Sequence, residues 1–152
     1  MDDVLKQKIL SLLAGHRVMT IATVRPDGWP HATVVGYGHE GITLWFFCSP
    51  GSQEARNLER DSRISITIDH DTRDMMSITG LSLAARAYRV SDRVETEKVI
   101  GMLLPSCPAA PPEMARMKRP APEEVAVFRV IPEIISVLDY TQGFGHTELA
   151  LC

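Results

Sequence analysis

Between Arg17 and Cys48 the β-branched and apolar side chains recur every second residue, and two four-residue turns are all that interrupt them. Arg17–Val24 is rich in Val, Thr and Ile. Arg25-Pro-Asp-Gly28 follows, with Pro second and Gly fourth, the residues a tight turn demands. His31–Tyr37 is the next extended run, Gly38–Gly41 a second turn, and Ile42–Cys48 alternates Ile42, Leu44, Phe46 and Cys48 with Thr43, Trp45 and Phe47. A period of two marks strands, and links this short cannot hold a parallel crossover. The spacing therefore predicts three strands in an antiparallel meander. The pattern continues in Arg63–Asp69, where Ile64, Ile66 and Ile68 share a face, in Ser77–Val90, and in Val125–Ile131 and Ile134–Tyr140, which Pro132 separates. Seven short antiparallel segments predict a barrel or a sandwich. A barrel is favoured because closure leaves no exposed edge.

Three helices are expected beside the strands. In residues 3–14, Leu5, Ile9, Leu12 and Leu13 fall on one helical face, with Asp2 or Asp3 as cap and Gly15 at the end. Ser49–Arg60 is a short helix capped by Ser49 or Ser52 and ended by Asp61. Asp92 and Glu95 form a capping box for a helix to about Leu104. Residues 105–122 hold six of the ten prolines, which forbids a regular element there beyond one helical turn at Glu113–Lys118. No element is assigned to the tail after Tyr140. The fold class is mainly β with flanking α. Residues 1–152 form one domain, because the strands beyond the proline-rich loop are needed to close the sheet.

Charge and composition exclude several classes. Sixteen Lys and Arg against nineteen Asp and Glu leave a formal charge of −3, without the cationic footprint of a nucleic-acid binder. No apolar run approaches the roughly 18 residues of a membrane span, and the start MDDVLKQKIL is unlike a secretory signal. Three cysteines with no CxxC fit reduced thiols and a cytoplasmic location. The five histidines lack metal-ligand spacing, so no metal is expected. Gly36-Tyr-Gly-His-Glu-Gly41 matches G-x-G-x-x-G, but a strand follows it and not a helix, so a dinucleotide fingerprint is rejected and the glycines are assigned to positive-φ positions of a hairpin.

Phe47–Asn57, FCSPGSQEARN, runs from a strand through a Gly/Ser loop into a helix. Amides at that helix start, the hydroxyls of Ser49 and Ser52, and the Arg56 cation would form an anion pocket. A plain capped helix with a solvated Arg56 is the alternative.

The runs MTIATVRPDGWPHATVVGY, ITLWFFCSPGSQEARNLERDSRISITID and GLSLAARAYRVSD resemble the pyridoxamine 5′-phosphate oxidase-like FMN-binding split barrels, over roughly residues 16–95 with an echo near residue 140. The resemblance implies an antiparallel six- to seven-stranded split β-barrel, and a homodimer with FMN at two symmetric interface sites. It places the flavin ring along the backbone of Thr33, Val34 and Val35, the ribityl chain by Phe47, Cys48 and Ser49, and the phosphate among Ser52, Gln53, Arg56 and Asn57. The partner would add the strand near Gly80–Ser82 and Thr141–Gln142. His31, Tyr37 and His146 are candidates for contacts near the ring, and no catalytic residue is assigned. The proline-rich loop, with Met114 and Met117, would cover the site.

Two departures stand out. Similar proteins typically carry Lys or Arg at one or both of the positions held here by Gln53 and Glu54. Glu54 suits an empty helix terminus, but beside a phosphate it costs on the order of a kcal/mol. Thr141-Gln-Gly-Phe-Gly-His146 echoes a W-Q-G-x-x-H segment, yet the R-x-H-x-R set that grips a substrate phosphate is absent. The expected function is a cytoplasmic FMN-dependent oxidoreductase acting on an unidentified small molecule, and not pyridoxamine phosphate oxidation. The alternatives are a non-enzymatic module for flavin, deazaflavin or haem, and a barrel that binds nothing.

Overall fold

Asp2 opens the first helix, α1 (Asp3–Ala14), by accepting the Val4 amide, and α1 buries Ile9 and Leu13 against the sheet. This is seen in a computed structural model that describes residues 1–104 and 118–152. The elements that follow are β1 (Val18–Val24), β2 (Pro30–Gly36), β3 (Gly38–Glu40), β4 (Thr43–Cys48), α2 (Gln53–Arg60), β5 (Arg63–Asp69), β6 (Thr79–Arg89), α3 (Arg93–Leu103), β7 (Ala126–Asp139) and β8 (Thr147–Leu151). The helical turn expected from Glu113, with Met114, Met117 and Cys107, lies outside the described residues.

The protein is mainly β: one antiparallel sheet curled into a half-barrel, with three α-helices against it among the described residues. Strand order is β2-β1-β5-β6-β7-β4-β3, and β8 lies beside β7. β7 is the longest strand and produces the split. Its first half pairs with β4, from Ala126 with Cys48 to Val130 with Leu44. Its second half pairs with β8, from Ile134 with Leu151 to Leu138 with Thr147. Along the opposite edge, β6 accompanies both halves.

Alternation explains the core. Phe46 and Phe128 face each other across the β4–β7 ladder, fully buried, with ring centroids 5.4 Å apart among Ile21, Ile66, Ile68, Leu81 and Val137. The alternate residues Trp45 and Val127 point the other way and are covered by Val99 and Ile100 of α3. β4 is thus buried on both faces, which is why its sequence is apolar almost throughout.

Four expectations are corrected. β1 and β2 form the predicted hairpin, but β4 pairs with β3 and β7, so the three-strand meander does not form. Short links do not dictate neighbours here, because β3 follows β2 after Tyr37 alone and pairs with β4, so that β2 and β4 meet without a shared ladder. The expected Gly38–Gly41 turn is instead strand β3, and Gly41 turns the chain with φ 56°. Pro132 does not divide β7: it pairs with Ala85, where the ladder slips between Ala84 and Ala85, and that irregularity absorbs the missing amide. β8 was not foreseen, because only Ala150 of its five residues is buried.

The glycines of the rejected fingerprint also differ from expectation. Of Gly36, Gly38 and Gly41, positive φ is confined to Gly41. A Cβ on Gly38 would occupy the space of the Met102 thioether, and Leu103 packs over Gly36. Those two positions seat α3.

Candidate functional site

β2 ends the sheet on its side, so one row of its peptide groups has no strand partner among the described residues. The register shows which groups these are. The Tyr37 amide donates to the Arg17 carbonyl (3.1 Å) and the Arg25 amide to the Trp29 carbonyl (3.0 Å). Antiparallel pairs alternate in their bonding. Counting by two therefore assigns Val35 with Met19, Thr33 with Ile21 and His31 with Thr23 to the bonded positions. The N–H and C=O of Ala32 and Val34 point to the open edge. Of the three residues expected at a flavin edge, Val34 alone offers free backbone groups. Its side chain is 64% exposed on the outer face, while those of Thr33 and Val35 point to the other face and are half-buried.

α2 lies against β1 and β2. Ser52 is its N-cap: the hydroxyl accepts the Ala55 amide at 3.3 Å, while the amides of Gln53 and Glu54 have no acceptor among the described residues. The helix is anchored by a chain of side-chain bonds. Arg56 donates to the Gly51 carbonyl (2.6 Å) and to Gln53 Oε1 (3.0 Å). Gln53 Nε2 donates to Asn57 Oδ1 (2.8 Å), and Asn57 Nδ2 to Thr23 Oγ1 (3.0 Å). Asn57 and Thr23 are each 1% exposed. Asn57 therefore anchors the helix, and Arg56 is folded across the loop. Thr23 was missed by the sequence reading. The available signal was a polar residue in phase with Met19 and Ile21.

Phe47 and Cys48 are half-buried and Ser49 is exposed at the end of β4. The Cys48 thiol donates to the Ala126 carbonyl (3.9 Å), and burial pushes its pKa up, so it is not a ready nucleophile. Gly36, Phe47, Leu103 and Leu104 line a cleft of about 260 Å³ between the end of β2 and β4. Glu54 is half-buried and forms no ion pair among the described residues.

The Gly80–Ser82 segment and Gln142 lie elsewhere. Gly80, Leu81 and Ser82 line a cleft of about 320 Å³ with Thr67, Asp69 and Leu138, and a Cβ on Gly80 would sit 2.6 Å from the Ile68 carbonyl. Val34, Thr20, Thr67 and Ser82 occupy one cross-strand row, so β2 and β6 are three strand spacings apart, roughly 14 Å. A single chain does not bring these two sets together.

The three candidates for ring contacts separate as well. Tyr37 is buried, its hydroxyl donates to the Leu13 carbonyl at 2.7 Å, and burial pushes its pKa up to about 12. It closes the C-terminal end of α1. His31 sits opposite Thr23, and its enclosed Nδ1 has no partner among the described residues. His146 Nε2 lies 3.4 Å from Glu148 at the start of β8. Among the described residues no cluster of three or more His, Cys, Asp or Glu could hold a metal ion. No helix there is long and apolar enough to cross a membrane.

A half-barrel split along one long strand, with a helix N-terminus open beside a free strand edge, defines the split-barrel class. The chain belongs to the pyridoxamine 5′-phosphate oxidase family, whose model matches residues 5–136. It is similar to the pyridoxine/pyridoxamine 5′-phosphate oxidase of Vibrio vulnificus, 29% identical over 93% of this chain and 75% of that protein. It is also similar to general stress protein 26 of Bacillus subtilis, 24% identical over 62% of this chain and 70% of that protein. Among solved structures, a heme binding protein from Mycobacterium smegmatis superposes with a TM-score of 0.73 at 21% identity, over 99% of this chain and 59% of that one.

Proposed function

We propose that this chain is a cytoplasmic, homodimeric FMN-binding flavoprotein, an oxidoreductase acting on a small molecule. The observation that carries the reading is the open edge of β2 at Val34 together with the uncapped amides of Gln53 and Glu54, at the start of a helix packed against β1 and β2. A planar heterocycle with donor and acceptor atoms along one side suits the free N–H and C=O of Val34. A terminal phosphate suits two amides and the hydroxyls of Ser49 and Ser52 at a positive helix end. The cleft by Gly36 and Phe47 leaves room for the chain between them.

In this reading FMN, when bound, supplies the hydride or electron transfer, and the protein supplies binding and orientation. Val34 holds the ring edge, Ser52 and the first-turn amides hold the phosphate, and Asn57 with Thr23 keeps the helix start in place. Gly80–Ser82 and Gln142 come from the second copy. The outer face carries exposed Val18, Val34, Ile134, Leu149 and Leu151, a surface suited to burial by that copy.

One observation favours a second reading, a non-enzymatic module for haem or a deazaflavin. Glu54 places a carboxylate where a phosphate would sit, and Arg56 is already engaged. Absorbance of the purified protein decides between them. Bands near 450 nm, bleached by NADH or NADPH and restored by air, support the flavoenzyme. A Soret band supports the haem module, and a colourless protein that does not quench added FMN overturns the proposal.

A further inference from the structure

The turn formed by residues Tyr140–Gln142 depends on one carboxylate. Asp139 is 7% exposed and divides its oxygens between two directions. Oδ1 accepts the Thr141 amide (3.2 Å) and the Thr141 hydroxyl (2.5 Å). Oδ2 receives the Lys8 ammonium of α1 at 2.9 Å. The same ammonium reaches Glu148 Oε1 of β8 at 3.1 Å, which His146 Nε2 faces at 3.4 Å. The backbone brackets this cluster, with the Asp139 amide donating to the His146 carbonyl (3.1 Å) and the Tyr140 amide to the Ile78 carbonyl (2.9 Å).

Lys8 is the cation between Asp139 and Glu148. Without it, Asp139 keeps a buried charge whose remaining partners among the described residues are the Thr141 amide and hydroxyl, while Glu148, its side chain 41% exposed, turns to water. A buried carboxylate without its counter-ion takes up a proton or turns outward, and either change weakens the two Thr141 bonds that order the turn. Among the described residues α1 makes no other hydrogen bond or ion pair to this turn.

We infer that Lys8, acting through Asp139, is a positioning residue for Gln142, fixing the segment this chain lends to its partner's cofactor site. The inference rests on the FMN reading above. It makes α1, which contributes no residue to the site, a determinant of how well the neighbouring subunit holds its cofactor.

The test uses the full chain as wild type, Lys8→Gln, Lys8→Arg and Asp139→Asn. Amide hydrogen exchange at residues 141–143 and FMN dissociation constants from fluorescence quenching are measured together. Lys8→Gln and Asp139→Asn are expected to speed exchange locally and to weaken FMN binding about tenfold, in line with the loss of a charge-assisted bond, while Lys8→Arg restores both. A mixed dimer with one Lys8→Gln subunit should show one normal and one weakened site, which general destabilisation would not produce. Unchanged exchange at residues 141–143 in Lys8→Gln overturns the inference, as does unchanged FMN affinity in a wild type that binds it. A wild type that ignores FMN removes the cofactor reading instead, and exchange then decides the clamp by itself.

Discussion

Asn57 and Glu54 are three residues apart on α2 and carry opposite kinds of consequence. Asn57 is buried, bonded to Thr23 and Gln53, and its loss would strand the Thr23 hydroxyl inside the protein. Asn57→Ala is expected to cost about 1–3 kcal/mol of stability, read as a lower midpoint in urea unfolding. Thr23→Ala made in the same background should then add little, because the two share one bond. Glu54 is a question of charge. Glu54→Lys is expected to tighten FMN binding severalfold while slightly lowering the stability of the empty protein, since it reverses a favourable helix-end charge. A dissociation constant that stays the same or rises would displace the phosphate from this helix start. Asp139 adds a pH dependence with a definite sign. The Thr141 hydroxyl, and after it Lys8, hold its pKa at about 2, below the ordinary 3.8. A depressed carboxylate stabilises fully above the unfolded value and loses that contribution as pH falls from about 4 toward 2. Asp139→Asn should therefore flatten the acid limb of Tm against pH over that window, and a limb as steep as the wild type's would mean another group sets it.

At the scale of elements, the β4–β7 ladder joins the two apolar clusters. Phe46 and Phe128 lie in one and Trp45 and Val127 in the other, so a cavity between the phenyl rings weakens the seam of the half-barrel. Phe128→Ala is expected to cost about 3–5 kcal/mol, measured by denaturant unfolding. A loss below about 1 kcal/mol would show that the neighbours collapse into the gap. The helices were legible because each carries its own chemistry: Asp2, Ser52 and Asp92 accept amides of their own first turns, as their residue types anticipate. The strands β1, β5 and β6 were legible for a similar reason, since alternation is visible without knowing the partner. β3 and β8 were not. Three residues are too few for a period, and β8 buries one small side chain, so its pairing with β7 supplies the order that its own sequence lacks.

For the whole molecule, the decisive feature is the outer face. One cross-strand row runs from Val34 through Thr20, Thr67, Ser82 and Ser136 to Leu149, small or apolar residues on a face that no helix among the described residues covers. If a second copy buries that row, Leu149→Glu, 66% exposed in the single chain, places a charge in the contact. The expected result is a monomer by light scattering with unchanged circular dichroism and much weaker FMN binding. A dimer that persists in Leu149→Glu would move the interface elsewhere.

Local interactions, which a sequence displays, determined the helix starts, the parity of each long strand and the apolar seam of β4. They also determined Ser52 as a cap and marked Glu54 as a carboxylate at a helix start suited to an anion. Long-range pairing decided the rest. That β4 lies beside β7 and not β2, that Pro132 sits within one strand, that Asn57 faces Thr23, and that Lys8 meets Asp139 all join residues far apart in the chain. No periodicity records such contacts, because their energy appears when the half-barrel closes and brings the two partners out of water together.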